Sequence, residues 1–116
     1  MSKELNFTRA KKTFLTVTMP DDKKILVRNP TKKIMDNLSD LGEDFKTIEA
    51  EGEDTVDGRE AVGRIYETSA LILSNNLARE KITVDYLENV LDIEDLIILF
   101  DSYTDFINGL QVNAKN

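Results

Sequence analysis

Leu91–Gln111, LDIEDLIILFDSYTDFINGLQ, packs Ile, Leu, Phe and Tyr densely between acidic residues. Advancing 100° per residue from Ile93, Phe106, Leu99, Leu110, Tyr103, Leu96, Ile107, Phe100, Ile93 and Ile97 fill a continuous arc of about 180°. Glu94, Asp101, Asp105 and Asn108 gather opposite, within about 60°. That is an amphipathic helix, with Asp92 as its N-cap and Glu94 and Asp95 in the first turn, where the helix dipole favours acids. A helix laid on one core needs an apolar stripe of only about 100°. The surplus lies at Leu99 and Phe106, with Ile98 isolated near the acidic face. Two readings stay open: the helix is central and all of the arc is core, or the surplus edge receives a partner's helix.

Upstream, TFLTVTM (Thr13–Met19) and ILVR (Ile25–Arg28) are β-branched runs separated by the turn-rich PDDKK, the pattern of a β-hairpin. Such a hairpin is marginal alone and must lie on helices or join another sheet. Pro30 ends the strand, and Thr31 or Asn29 caps a helix carrying Ile34, Met35, Leu38, Leu41, Phe45 and Ile48 at three- and four-residue spacing. Gly42 is a candidate kink. EGEDTVDG (Glu51–Gly58) reads as an acidic linker. A second helix places Val62, Ile65, Tyr66, Ser69, Ala70, Ile72, Leu73 and Leu77 on one side, and Thr83 caps a short third.

The expectation is an α+β protein, mostly α: an N-terminal β-hairpin followed by about four α-helices in one compact domain. The hairpin covers 13–28 and the helices about 31–50, 59–79, 83–91 and 93–111. Residues 1–12 read as a flexible basic N-terminus and 112–116 as a frayed tail.

At 116 residues the chain is one domain's worth, and its 41% hydrophobic and 32% charged residues are globular in balance. It holds no cysteine and no histidine, which excludes disulfides, the usual nucleophile–base pairs and typical zinc sites. No phosphate loop or EF-hand spacing occurs, so no cofactor or metal is expected and an enzyme is the least favoured class. No signal-peptide h-region and no run of 18 apolar residues is present, which points to a cytoplasmic protein. The net charge of −7 is uneven: residues 1–33 carry +6 and residues 34–116 carry −13. A basic head on an acidic body suits nucleic-acid contact, copies meeting head to body, or two solvated surfaces. The candidate basic face is Lys11, Lys12, Lys23, Lys24 and Arg28. Only Phe14 and Phe7 offer bases a stacking surface, which weakens the nucleic-acid reading.

The order of features resembles the tail assembly chaperones of long-tailed bacteriophages and prophages of Gram-positive bacteria. The likeness runs from the hairpin through LVRNPTKKIMDNLSDL and the acidic linker to ITVDYLENVLDIEDLIILFDSYTDFINGL. It implies a non-enzymatic chaperone of virion morphogenesis. Such a chaperone keeps the tape-measure protein soluble until tail-tube protein polymerises around it. It acts as a homo-oligomer in the host cytoplasm and is absent from the mature virion. It also implies a longer frameshifted form as a further partner, and Ala114-Lys115-Asn116 is compatible with a slippery A-AAA-AAC heptamer. On this reading Leu99, Tyr103, Phe106 and Leu110 make partner or self-contacts. The alternatives are a small nucleic-acid-binding regulator and a structural tail component.

Overall fold

Local chemistry sets each element of the computed structural model, which describes residues 14–114 and their side chains through residue 109. The β-branched runs form β1 (Leu15–Thr18) and β2 (Lys24–Val27), paired antiparallel with Leu15 opposite Val27 and Val17 opposite Ile25. Pro20, Asp21 and Asp22 close the hairpin. The Asp22 N–H donates to the Met19 carbonyl at 2.9 Å, and the Met19 N–H donates to the Lys23 carbonyl at 2.8 Å. Asp22 sits at φ 69°, the left-handed position that a three-residue hairpin loop demands and aspartate tolerates.

Four helices follow: α1 (Lys32–Glu51), α2 (Val56–Ser74), α3 (Val84–Val90) and α4 (Ile93–Ala114). The fold is therefore α+β and mostly α. The expected caps form. The hydroxyls of Thr31 and Thr83 accept from the N–H groups of Ile34 and Tyr86. Asp92 and Asp95 cap reciprocally, each carboxylate accepting the other's backbone N–H at 2.9 and 3.0 Å. Gly42 does not interrupt α1.

The boundaries of α2 differ from the expected 59–79 at both ends. Its start moves into the acidic stretch because the Thr55 hydroxyl accepts the Gly58 N–H at 2.9 Å, making Thr55 the N-cap. Its end falls at Ser74 because Asn75 and Asn76 leave the helix to build a third rung on the hairpin. Asn76 pairs with Val27, the Arg28 N–H donates to the Asn75 carbonyl at 2.8 Å, and the Leu77 N–H donates to the Leu26 carbonyl at 2.9 Å. Leu77, expected on the apolar side of this helix, is 55% exposed instead.

Helix α2 is the hub, packing against α1, α3, α4 and β2. Small residues on its inner face, Gly58, Ala61, Ser69 and Ala70, let neighbours approach closely, while Ile65, Ile72 and Leu73 fill the core. Between α1 and α2, the Arg64 guanidinium grips the buried Asp44 carboxylate through Nη2 at 2.8 Å and Nε at 3.0 Å.

A Cβ added at Gly58 would run into the carbonyl oxygen of Gly52, a backbone atom that cannot swing aside. Gly58→Ala should therefore destabilise by about 1–3 kcal/mol, although alanine is the better helix former. Urea denaturation reads this directly. A variant as stable as the parent would show that the α1–α2 connection yields freely.

Candidate functional groove

Among the described residues the hairpin has one closed edge and one open edge, and alternation of backbone groups shows which is which. Met19 pairs with Lys23 through its own N–H, so Met19, Val17 and Leu15 direct their backbone groups toward β2. Leu26 and Arg28 direct theirs toward Leu77 and Asn75, closing the far edge of β2. The N–H and C=O groups of Thr16 and Thr18 therefore face away from β2, along the open edge of β1. Native sheets guard such edges with charge or proline. From Phe14 to Met19 the strand has neither.

Beside that edge runs a groove of about 290 Å³ between β1 and the first half of α4. Leu15, Val17, Met19, Leu73, Leu91 and Leu99 make it apolar, and its polar lining residues are Thr16, Thr18, Asp95 and Ser102. Ile98 stands at the α4 side, 64% exposed. Two hydrogen-bonded anchors fix the wall near Leu91. The Tyr66 hydroxyl donates to the Leu91 carbonyl at 2.6 Å, and the Asp92–Asp95 box holds the start of α4.

The residues expected to meet a partner divide. Leu99 and Tyr103 are buried, at 8% and 0% exposure, and Phe106 is half-buried against the Tyr103 ring at a centroid distance of 6.2 Å. These side chains pack against the chain's own core, with Leu99 also flooring the groove. The side chain of Leu110 lies outside those described. Among the described side chains the open apolar positions of α4 are Ile97 and Ile98 instead. Sequence reasoning marked Ile98 as isolated near the acidic face but gave it no role. It had no means of seeing the groove, which exists only once α4 lies beside β1.

Of the expected basic face, Lys24 and Arg28 are exposed and alternate with Leu26 on the outer side of the hairpin. Lys23 is instead tied to Glu80 at 2.7 Å, and Lys11 and Lys12 lie outside the described residues. Among the described residues no group of three or more acidic side chains is placed to hold a metal. No described helix is long and apolar enough to cross a membrane.

The Tyr103 hydroxyl is buried with no hydrogen-bond partner among the described residues. Tyr103→Phe should thus raise stability, by about 1 kcal/mol, because it removes an unsatisfied polar group. Burial pushes the Tyr103 phenol up to about 12. Burial, and then the hydrogen bond to Asp21, does the same for Tyr86, and burial with the charge of Asp92 raises Tyr66. These are the chain's three tyrosines. An unfolded chain releases these protons near pH 10, while the folded chain keeps those of Tyr86 and Tyr103 until about pH 12 and holds that of Tyr66 above its ordinary range. Their contribution to stability is complete below pH 10 and is lost as pH rises through that window. Tyrosinate absorbance should therefore appear together with unfolding. Titration near pH 10 in a chain that stays folded would contradict the burial.

Comparison with protein-family models, with curated proteins and with solved structures finds no match.

Proposed function

We propose that this chain is a non-enzymatic tail assembly chaperone of a long-tailed bacteriophage or prophage. It works in the host cytoplasm and holds the tape-measure protein soluble until the tail tube forms. The order of features along the sequence supports the reading, and one structural observation carries it to particular residues: the apolar groove beside the open edge of β1. Its lining is mostly aliphatic, and it sits at the lower end of small-molecule clefts, which span about 300–1,000 Å³. Such a site suits apolar side chains of another polypeptide better than a metabolite.

The edge and the groove divide the work of recognition. Thr16 and Thr18 offer main-chain hydrogen bonds, which hold any extended segment regardless of its sequence. The floor from Leu15 to Leu99 takes up alternate apolar side chains. A client held this way is bound by its exposed hydrophobic segments, which are the parts that aggregate. The surrounding acidic surface, part of a chain with net charge −7, keeps the complex in solution.

The test is co-expression with the tape-measure protein. Ile98→Asp puts a charge on the exposed side of the groove, and Thr18→Pro removes an edge donor that no hairpin bond uses. Together they should return the client's soluble fraction to its level without the chaperone, with the circular dichroism of the chain unchanged. Rescue that survives both substitutions would remove the groove from the client's path. Absence of rescue by the parent chain would remove the function.

A further inference from the structure

Among the described residues nothing pairs with the outward N–H and C=O groups of Thr16 and Thr18, and Leu15 and Val17 beside them are only half-buried. Asp95 adds a carboxylate to the lining of the same groove. The occupant that complements this site is an extended segment, apolar on one side and basic in charge.

The thirteen residues ahead of Phe14 contain a segment of that pattern. Lys3-Glu4-Leu5-Asn6-Phe7-Thr8-Arg9 alternates strictly. Drawn out as a strand, Lys3, Leu5, Phe7 and Arg9 share one side and read basic–apolar–apolar–basic, with Glu4, Asn6 and Thr8 on the other. Residues 1–13 set Lys3, Arg9, Lys11 and Lys12 against Glu4 alone, so the segment is positive as a whole.

Connectivity restricts how this segment meets β1. Only Ala10–Thr13 separates the two, whereas a parallel pairing needs a crossover of about a dozen residues or more. The pairing must then be antiparallel. With Ala10–Lys12 as a three-residue turn, Phe7 falls opposite Leu15 and Leu5 opposite Val17, on the side toward which β1 directs its own apolar residues. Asn6 and Glu4 fall opposite Thr16 and Thr18, where the outward backbone groups of β1 make hydrogen-bonded pairs. A slip of one residue would turn Leu5 and Phe7 to solvent. Side-chain pattern and backbone direction thus select the same arrangement.

We propose that Lys3–Arg9 is the resident occupant of the groove, an added strand on the open edge of β1. Leu5 and Phe7 lie on its apolar floor, and the positive charge of the segment faces Asp95. The short tether gives the segment an effective concentration on the order of millimolar, and its presence blocks edge-to-edge pairing. A client then enters the groove by displacing this strand, so only a segment that binds better than Lys3–Arg9 is held. That consequence rests on the client reading, whereas the occupancy is measured with no client present, so its failure leaves the client reading standing.

Amide hydrogen exchange followed by NMR on the full chain tests it. The N–H groups of Thr16 and Thr18 should exchange at least about tenfold more slowly than unstructured amides. Nuclear Overhauser contacts should join the side chains of Leu5 and Phe7 to Val17 and Leu15. Leu5→Ser with Phe7→Ser should return the Thr16 and Thr18 amides to the unstructured rate. The amides of Arg28 and Leu77, bonded on the opposite edge, should keep their protection. Removal of residues 2–9 should act in the same way and serves as the second variant.

Free exchange at Thr16 and Thr18 in the parent chain overturns the proposal, as does absence of the Leu5 and Phe7 contacts, which needs no variant to observe. Protection that persists without residues 2–9 overturns it too. Protection that grows with protein concentration would give the edge to a second copy instead.

Discussion

Helix α2 ends at two asparagines, Asn75 and Asn76, that leave it to pair with the hairpin. Asn76 is buried, and its side chain donates to the carbonyls of Leu73 and Glu80, each at 2.8 Å, while accepting the Glu80 N–H at 3.0 Å. Asn75 donates to the Asn29 carbonyl at 2.9 Å. The two amides thus stop the helix, hold the loop that follows, and press residues 75–77 against β2. The Ser74 hydroxyl completes the clamp, donating to the carbonyl of Ile82 and accepting its N–H. A hairpin of two four-residue strands has little stability of its own. Here it gains a third backbone segment and buries Met19, Ile25 and Val27 over the helices. The sheet exists because the helix hub reaches out to it.

The same clamp decides where the molecule is open. With the far edge of β2 occupied by residues 75–77, the unpaired backbone of the sheet among the described residues is confined to β1. The α3–α4 connection, tied to α2 by Tyr66, then sets α4 beside that edge. One side of α4 faces the core through Leu96, Tyr103 and Ile107, leaving its acidic side outward. Groove, open edge and acidic stripe are consequences of a single packing arrangement.

Much of this was legible in the residues. The hairpin, the count of helices and the caps at Thr31, Thr83 and Asp92 follow from turn chemistry and short-range periodicity, which are local. The end of α2 was not legible. Asparagine is a modest helix former rather than a breaker, and apolar spacing continues to Leu77. Only contact with β2, far away in sequence, makes departure from the helix favourable. The start of α2 was missed for a related reason. The acidic and glycine residues around Thr55 resemble a linker, yet Thr55 is a good cap and Gly58 fits where a larger residue would clash. For α4 the wheel separated core from solvent but could not say what covered Leu99. Helix periodicity reports which residues share a face and carries no information about the neighbour on that face.

An uncharged open edge is ordinarily an invitation to pair with an identical edge, and the position of α4 argues against that outcome here. Two copies meeting by their β1 edges would bring their α4 helices close, because α4 runs beside that edge in each. Asp95 of one copy would then approach Asp95 of the other, and like charges brought together are destabilising. The Asp95 carboxylate, which lines the groove and caps α4, would lie nearest such a junction. The Asp95 carboxylate thus puts at the groove the charge that the strand itself lacks. A segment that is apolar and neutral or basic meets no such barrier.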